Sequence, residues 1–586
     1  MAEALQRLDP GSSGAGQRAA RVGRPRLLRH VPALTLTLFL APIMAGVIGT
    51  WLPAFGYLPA LGGEGFSLEP WRVLFAYPGL PKTLRLTLTS GLLATAISLA
   101  LVISFVAACH GTRLFGRLRR VLAPLLSVPH VAVAIGLAFL IAPSGWAVRL
   151  VSPWATGWTV PPDIALVQDP YGLALTAALV IKEVPYLLLM TIAALDQSQA
   201  GQRLAVARSL GYGPVTAWLK TVLPAIYPQI RLPIYAVLAF SLSVVDMALV
   251  LAPLTPPPLA VLVFRWFNDP DLSMRFVAAA GAGLQLGLVV GAIGLWRGAE
   301  LLATGLGRHW LVAGARGATG RIARGGAGAA MVLLYVVSAA CVLALALWSF
   351  TSRWRYPDAL PSAWTLDTWS RQADGLMWAG TTTLILGSAA AALALALVLG
   401  CLENETRQGL RTTSRALWLL YTPLLVPQVA FLFGAQVLAV QFGVDGTWLA
   451  LVWSHVLFVL PYVFLSLADP YRALDDRYAR AAMCLGASPD RVFWRVKLPM
   501  LLRPVMFAFA VGFAVSVAQY LPTVFAGGGR FVTLTTEAVA LSGGADRRVI
   551  GVFAFLQALL PLAAFAAAIA IPAWMFRHRG ALRSTP

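Results

Sequence analysis

Long apolar runs alternate with short polar segments along almost the whole chain. Residues 1–30 are rich in Gly, Ser and Arg and show no apolar periodicity, which predicts a disordered basic arm. Apolar runs long enough to cross a bilayer, about 20 residues each, then occupy 31–52, 83–109, 121–142, 171–195, 229–251 and 276–296. A second set covers 329–350, 379–402, 416–442, 447–468, 505–523 and 549–576. Run 31–52 is longer than the apolar core of a signal peptide, so it predicts an uncleaved anchor. The pattern predicts an all-α, polytopic membrane protein of about 12 transmembrane helices. Its halves, 31–296 and 329–576, flank a Gly/Arg-rich cytoplasmic linker at 297–328, and a short tail follows at 577–586.

Composition agrees with that pattern. The 586 residues are 59% hydrophobic and 12% charged, with a mean hydropathy of +0.75, whereas soluble domains carry about 25% charged residues. A net charge of +21 invites a nucleic-acid partner, but no basic aromatic module or zinc spacing accompanies it, so none is expected. Most of the 45 Lys and Arg fall in 1–30 and in every second intervening segment thereafter. By the positive-inside rule those segments and both termini face the cytoplasm. Cys109, Cys341, Cys401 and Cys484 show no paired spacing, and the six histidines form no ligand motif. No metal or cofactor is therefore expected. None of the lysines (Lys82, Lys182, Lys220, Lys497) follows a glycine, so there is no phosphate-cradling P-loop. The chain is not expected to be an enzyme, and ATP-driven work requires a separate ATPase subunit.

Two of the cytoplasmic segments repeat each other. Residues 205–228 read AVARSLGYGPVTAWLKTVLPAIYP and residues 480–504 read RAAMCLGASPDRVFWRVKLPMLLRP. Setting Gly211 on Gly486, 275 residues apart, brings Leu223-Pro224 onto Leu498-Pro499. Each copy predicts a short helix, a glycine turn, a second short helix and a proline. Ser488 suits an N-cap, Pro489 the first helical position and Asp490 the first turn. Val215, Trp218, Leu219 and Val222 give the first copy one apolar helical face. Beyond the loops, Pro124-Leu-Leu-Ser-Val-Pro129-His130 matches Pro423-Leu-Leu-Val-Pro427-Gln428, Gly136 falls on Gly434, and Pro185-Tyr186 falls on Pro461-Tyr462. An insertion rich in Pro and Trp at 143–169 accounts for the differing offsets. Both halves run in the same sense, which predicts two parallel six-helix repeats about an axis along the membrane normal.

The repeated segment resembles the EAA loop of ABC importer permeases, Glu-Ala-Ala-x3-Gly followed by a Leu-Pro pair. The match falls on Ala205, Val206, Ala207, Gly211, Leu223 and Pro224, and on Arg480, Ala481, Ala482, Gly486, Leu498 and Pro499. Ala205 and Arg480 stand where the family has Glu. The resemblance is to fused two-domain permeases of the iron(III), thiamine and YnjC-like type, and covers nearly all of the chain after residue 80. It implies a transport subunit in a bacterial inner membrane whose loops engage a homodimeric ABC ATPase. A periplasmic or lipid-tethered substrate-binding protein would deliver substrate to a path between the halves.

A rival reading is an ion-coupled secondary transporter with a six-plus-six parallel repeat. It explains the repeat and an intramembrane Asp246, but gives no reason for two cytoplasmic Gly…Leu-Pro hairpins. A membrane scaffold leaves the buried charges unexplained. Polar residues inside spans are the candidate path set, because burying them in lipid is costly. Asp246, matched by Gln519, either lines the path or pairs with a neighbouring helix, Lys182 being one partner. His130 and Gln428, each directly after a proline, either line the path or satisfy a broken turn. Lys182 and Glu183 have no charged counterparts in the second half, where Phe458 and Val459 stand. Residues 255–258 (TPPP) and 527–529 (GGG) are matched breaker clusters suited to gate loops. Anion, metal chelate, vitamin and polyamine substrates all fit the sequence.

Overall fold

Lipid offers no partner for a backbone N–H or C=O, so an apolar run satisfies its own as a helix. The computed structural model describes residues 28–317, 320–410 and 414–577. Nearly all of the predicted basic arm and tail lie outside these. Among the described residues ten helices are long and apolar enough to cross a membrane. The pair Pro489–Met500 and Leu502–Ala518, bent by 76°, makes an eleventh. A two-stranded antiparallel ribbon, Thr351–Arg353 with Ala363–Trp364, is the only sheet found in them.

The count of about 12 differs because run 416–442 is not one helix. It folds as Ser414–Leu425, a turn at Gln428–Ala430, and Leu432–Gln441. Pro427 is the cause: a proline drives the residue before it out of helical geometry. Pro129 divides run 121–142 in the same way, into Arg113–Ser127 and His130–Ile141. Two further runs break as well, the first without a proline at the break and the second just ahead of Pro522, which has no N–H to give the Ala518 carbonyl. Run 229–251 divides after Leu223–Ser243 and resumes as Asp246–Leu251, and run 505–523 divides between Leu502–Ala518 and Leu521–Gly527.

The linker expected at 297–328 is mostly helix. Met274–Val312 is 39 residues long, about 58 Å at 1.5 Å per residue, nearly twice the hydrocarbon thickness. Arg321–Ser349 begins soon after, and among the described residues of this stretch only 313–317 and 320 lie outside helices.

Each half lends its first helix to the other. Val31–Ala54 packs on Leu432–Gln441, and Arg321–Ser349 packs on His130–Ile141. Small residues permit the close approach. A β-carbon on Gly434 would overlap the Gly46 carbonyl oxygen, and one on Gly136 would come within 2.5 Å of the Cys341 carbonyl oxygen. Thr50 reinforces the first crossing: its hydroxyl donates to the Gly46 carbonyl (2.9 Å) and accepts from the Gly434 N–H (3.0 Å).

Candidate functional site

The two repeated segments take the same local form. Ala200–Ser209 and Asp476–Cys484 are helices that end before Gly211 (φ +84°) and Gly486 (φ +83°). A left-handed φ there is costly for any side chain with a β-carbon. The second short helices, Pro214–Ala217 and Pro489–Val492, each widen into one π-helical turn, Trp218–Val222 and Phe493–Lys497. In the second copy Ser488 Oγ accepts the Arg491 N–H at 3.3 Å, which makes it the N-cap. In the first copy Trp218 and Val222 are fully buried. No separate proline-ended helix follows in the first copy, because Leu223–Ser243 continues from the π turn with Pro224 in its first turn.

What these loops present outward differs. Ala205, Val206, Arg480 and Ala481 are exposed, Ala207 is buried and Ala482 is half-buried. Leu210 and Leu485, 275 residues apart, are 59% and 89% exposed beside the two turn glycines. Solvent-facing leucines in the same register on both loops form apolar knobs of the kind protein interfaces use. Residues 313–317 run along the first loop, where the Arg316 carbonyl accepts the Gly213 N–H (2.8 Å). Lys220 Nζ donates to the Ala313 carbonyl (2.6 Å) and sits 4.8 Å from the Trp310 ring centre. The second loop is anchored from beneath. Glu403, buried, accepts from Lys497 Nζ (2.7 Å), Arg407 Nε (2.7 Å) and the Tyr471 hydroxyl, and Arg407 reaches Asp490 at 2.8 Å. Lys497 is therefore a buried partner and not an outward charge.

All four candidate path residues occupy helix discontinuities. His130 and Gln428 begin the elements that follow Pro129 and Pro427, and Asp246 begins Asp246–Leu251. Gln519 sits in the gap before Leu521–Gly527. At the His130 break the orphan Val128 carbonyl is taken by Lys182 Nζ at 2.6 Å, and His130 instead lies 4.9 Å from Phe240, ring centre to ring centre. Lys182 thus has a partner other than Asp246, whose carboxylate accepts the Met247 N–H at 2.9 Å. Tyr520, next to Gln519, lies within electrostatic reach of Asp246 across the two halves. It joins an aromatic cluster of Phe264 and Phe267 from one half with Phe433 and Phe525 from the other. The centre-to-centre distances are 5.9 Å for Phe264–Tyr520 and 4.3 Å for Phe267–Phe433. The breaker clusters lead into short helices capped alike. Thr87 Oγ1 accepts the Leu259 N–H (2.9 Å), and Thr383 Oγ1 accepts the Leu534 N–H (3.0 Å). These breaks lie a full helix length, about 31 Å for Leu223–Ser243, from the repeated loops.

The chain is 33% identical to the inner membrane ABC transporter permease protein YnjC of Escherichia coli (strain K12) over 551 residues. That alignment covers 93% of this chain and 98% of that protein. The chain belongs to the binding-protein-dependent ABC transporter permeases. Residues 392–576 of the permease match the family described as binding-protein-dependent transport system inner membrane component. Shorter similarities reach the putrescine permease PotI of E. coli (29% over 123 residues, 20% of this chain and 44% of that one). They also reach the molybdenum permease ModB of Mycobacterium tuberculosis (31% over 192 residues, 30% and 70%). The relatives are transport subunits, so the permease moves substrate as part of an ABC assembly with an ATPase and a binding protein.

Sequence reasoning missed the Glu403 anchor, the seat of 313–317 on the first loop and the grouping of Tyr186, Tyr421 and Tyr462. Only the last left a signal, in the matched Pro185-Tyr186 and Pro461-Tyr462.

Proposed function

We propose that the permease carries both transmembrane domains of an importer in one chain and couples to its ATPase through 205–224 and 480–499. The single observation behind this reading is the pair of loops: two positive-φ glycines 275 residues apart, each beside an exposed leucine, at the same end of two helical bundles. The weight of Lys and Arg on that side supports a cytoplasmic placement of both loops and both termini in a bacterial inner membrane. A homodimeric ATPase would offer each loop an identical cleft, and a periplasmic or lipid-tethered binding protein would dock at the opposite end, over the short helices Leu259–Phe267 and Leu534–Ser542. Alternating access follows if ATP-driven approach of the two loops spreads the aromatic cluster between the halves. His130, Asp246, Gln428 and Gln519 then line the path, since discontinuous helices are where transporters place polar contacts at membrane depth.

Reconstitution of the permease with its ATPase and binding protein tests this reading. Uptake that needs ATP inside and survives dissipation of all ion gradients is expected. Uptake driven by an ion gradient without ATP would establish the secondary-transporter reading instead.

A further inference from the structure

Four carboxylates in the described residues are more than nine-tenths buried: Asp169, Glu183, Glu300 and Glu403. Three are matched by donors. Asp169 accepts three backbone N–H groups, Glu300 is paired with Arg231 and Arg297, and Glu403 with Lys497 and Arg407. Glu183 is the exception. It is 5% exposed, lies in the middle of the span Leu173–Gln197, and makes no hydrogen bond or ion pair among the described residues. Its chain neighbour Lys182 donates to the Val128 carbonyl and makes no ion pair with Glu183, although the two stay within electrostatic reach.

The surroundings of Glu183 come from both halves. Tyr186 shares its helix and Tyr462 approaches from the second half, both within electrostatic reach of Glu183, and Tyr421 of the second half lies within reach of both tyrosines. The Tyr186 hydroxyl is buried and faces that of Tyr421 across the interface between the halves. Toward the outer end of the same interface stands Asp246, with no cationic partner among the described residues and with Tyr520 of the second half beside it. The first half thus supplies two carboxylates and the second half supplies aromatic rings. An unpaired carboxylate in a membrane interior is expensive to keep, and carboxylates combined with tyrosine faces are the chemistry that holds an ammonium group.

We infer that the permease path carries an organic cation, with Glu183 as the central binding carboxylate, Asp246 as the outer one, and Tyr186, Tyr421 and Tyr462 packed around the ammonium. This rests on the path running between the two halves. It excludes oxyanions as the cargo, because an anion would meet two carboxylates while the neighbouring ammonium of Lys182 is committed to the Val128 carbonyl.

The test is thermal unfolding of the purified full-length permease, co-expressed with its ATPase, in 1,4-diaminobutane, in tetramethylammonium and in sulfate at matched ionic strength. A saturable rise in Tm of about 2–4 °C with either cation, none with sulfate, and none with a cation in Glu183→Gln are expected. Glu183→Asp, which keeps the charge on a shorter arm, should retain the rise with a half-saturating concentration raised at least about tenfold, one power of ten being 1.4 kcal/mol of affinity. It carries the test if Glu183→Gln fails to fold. A saturable rise with sulfate, an undiminished cation effect in Glu183→Gln, or no rise with either cation would overturn the inference. Co-purification of the ATPase, scored on the same samples, reads the coupling proposal separately. Intact association without a cation effect defeats the cation inference alone.

Discussion

Glu403 shows what one buried carboxylate does at the loop end of the permease. It accepts from Lys497, Arg407 and Tyr471, and so ties the second loop to the helices Ala373–Gln408 and Trp448–Arg472. Glu403→Gln strands a buried ammonium, and breaking such a pair costs about 3–5 kcal/mol. A clear drop in Tm is expected, with partial recovery in the Glu403→Gln, Lys497→Met double variant. Equal stability of Glu403→Gln and the parent protein would show the cluster to be solvated. Asp246→Asn should behave differently. Its carboxylate has no cationic partner among the described residues, and an amide oxygen can still accept the Met247 N–H. Stability in detergent should change by less than about 1 kcal/mol while transport falls. The sequence left Asp246 open between path and ion pair, because no spacing rule tells which face of a neighbouring helix a lysine reaches. Lys182 was settled by a carbonyl released at Pro129, a partner that no side-chain pattern announces.

Among elements, the loops were the most legible part of the chain. Glycine turn, N-cap Ser488 and buried Trp218 all follow local rules that need no tertiary context. The breaks at Pro129 and Pro427 were written in the sequence for the same reason, though apolar length concealed them when each run was taken as one span. The break before Asp246 has no proline to mark it, whereas Pro522, at the start of Leu521–Gly527, marks the one at Gln519. The helical form of most of 297–328 was not legible because its glycines weaken a helix in isolation, yet Met274–Val312 continues one already nucleated in the membrane. Its consequence is an asymmetry between the loops: residues 313–317 cover part of the first and none of the described residues play that role at Gly486. Lys220→Ala removes the contacts to Ala313 and Trp310 and should increase proteolytic cleavage within 313–320 several-fold without lowering membrane insertion. Unchanged cleavage would mean that the lysine does not hold the segment.

At the scale of the whole molecule, the exchange of first helices binds the halves together. Hydropathy cannot reveal it, because lipid and a neighbouring apolar helix look alike to a span. Only the glycines, Gly46 and Gly49 facing Gly434, and Gly136 facing Cys341, hinted at a close crossing. Gly434→Leu places a bulky side chain against the backbone of Val31–Ala54 and should cost at least the 1–3 kcal/mol typical of overpacking. If the halves were expressed as separate polypeptides, 1–317 and 320–586, the same change should also lower their co-purification. Undiminished recovery of the pair would argue against the exchanged arrangement.

The most direct measurement of the central claim is coupling in the Gly211→Val, Gly486→Val double variant. Each valine is forced toward a φ near +84° that costs of order 1–2 kcal/mol, so its turn must shift and re-aim the helix that follows. The membrane spans are untouched. Reconstituted with ATPase and binding protein, the variant should insert at the parental level and bind substrate-loaded binding protein. ATP hydrolysis should no longer rise on addition of that protein, and uptake should fall at least about tenfold, the equivalent of 1.4 kcal/mol. Parental uptake with binding-protein-stimulated hydrolysis would contradict the assignment of 205–224 and 480–499 as the coupling loops.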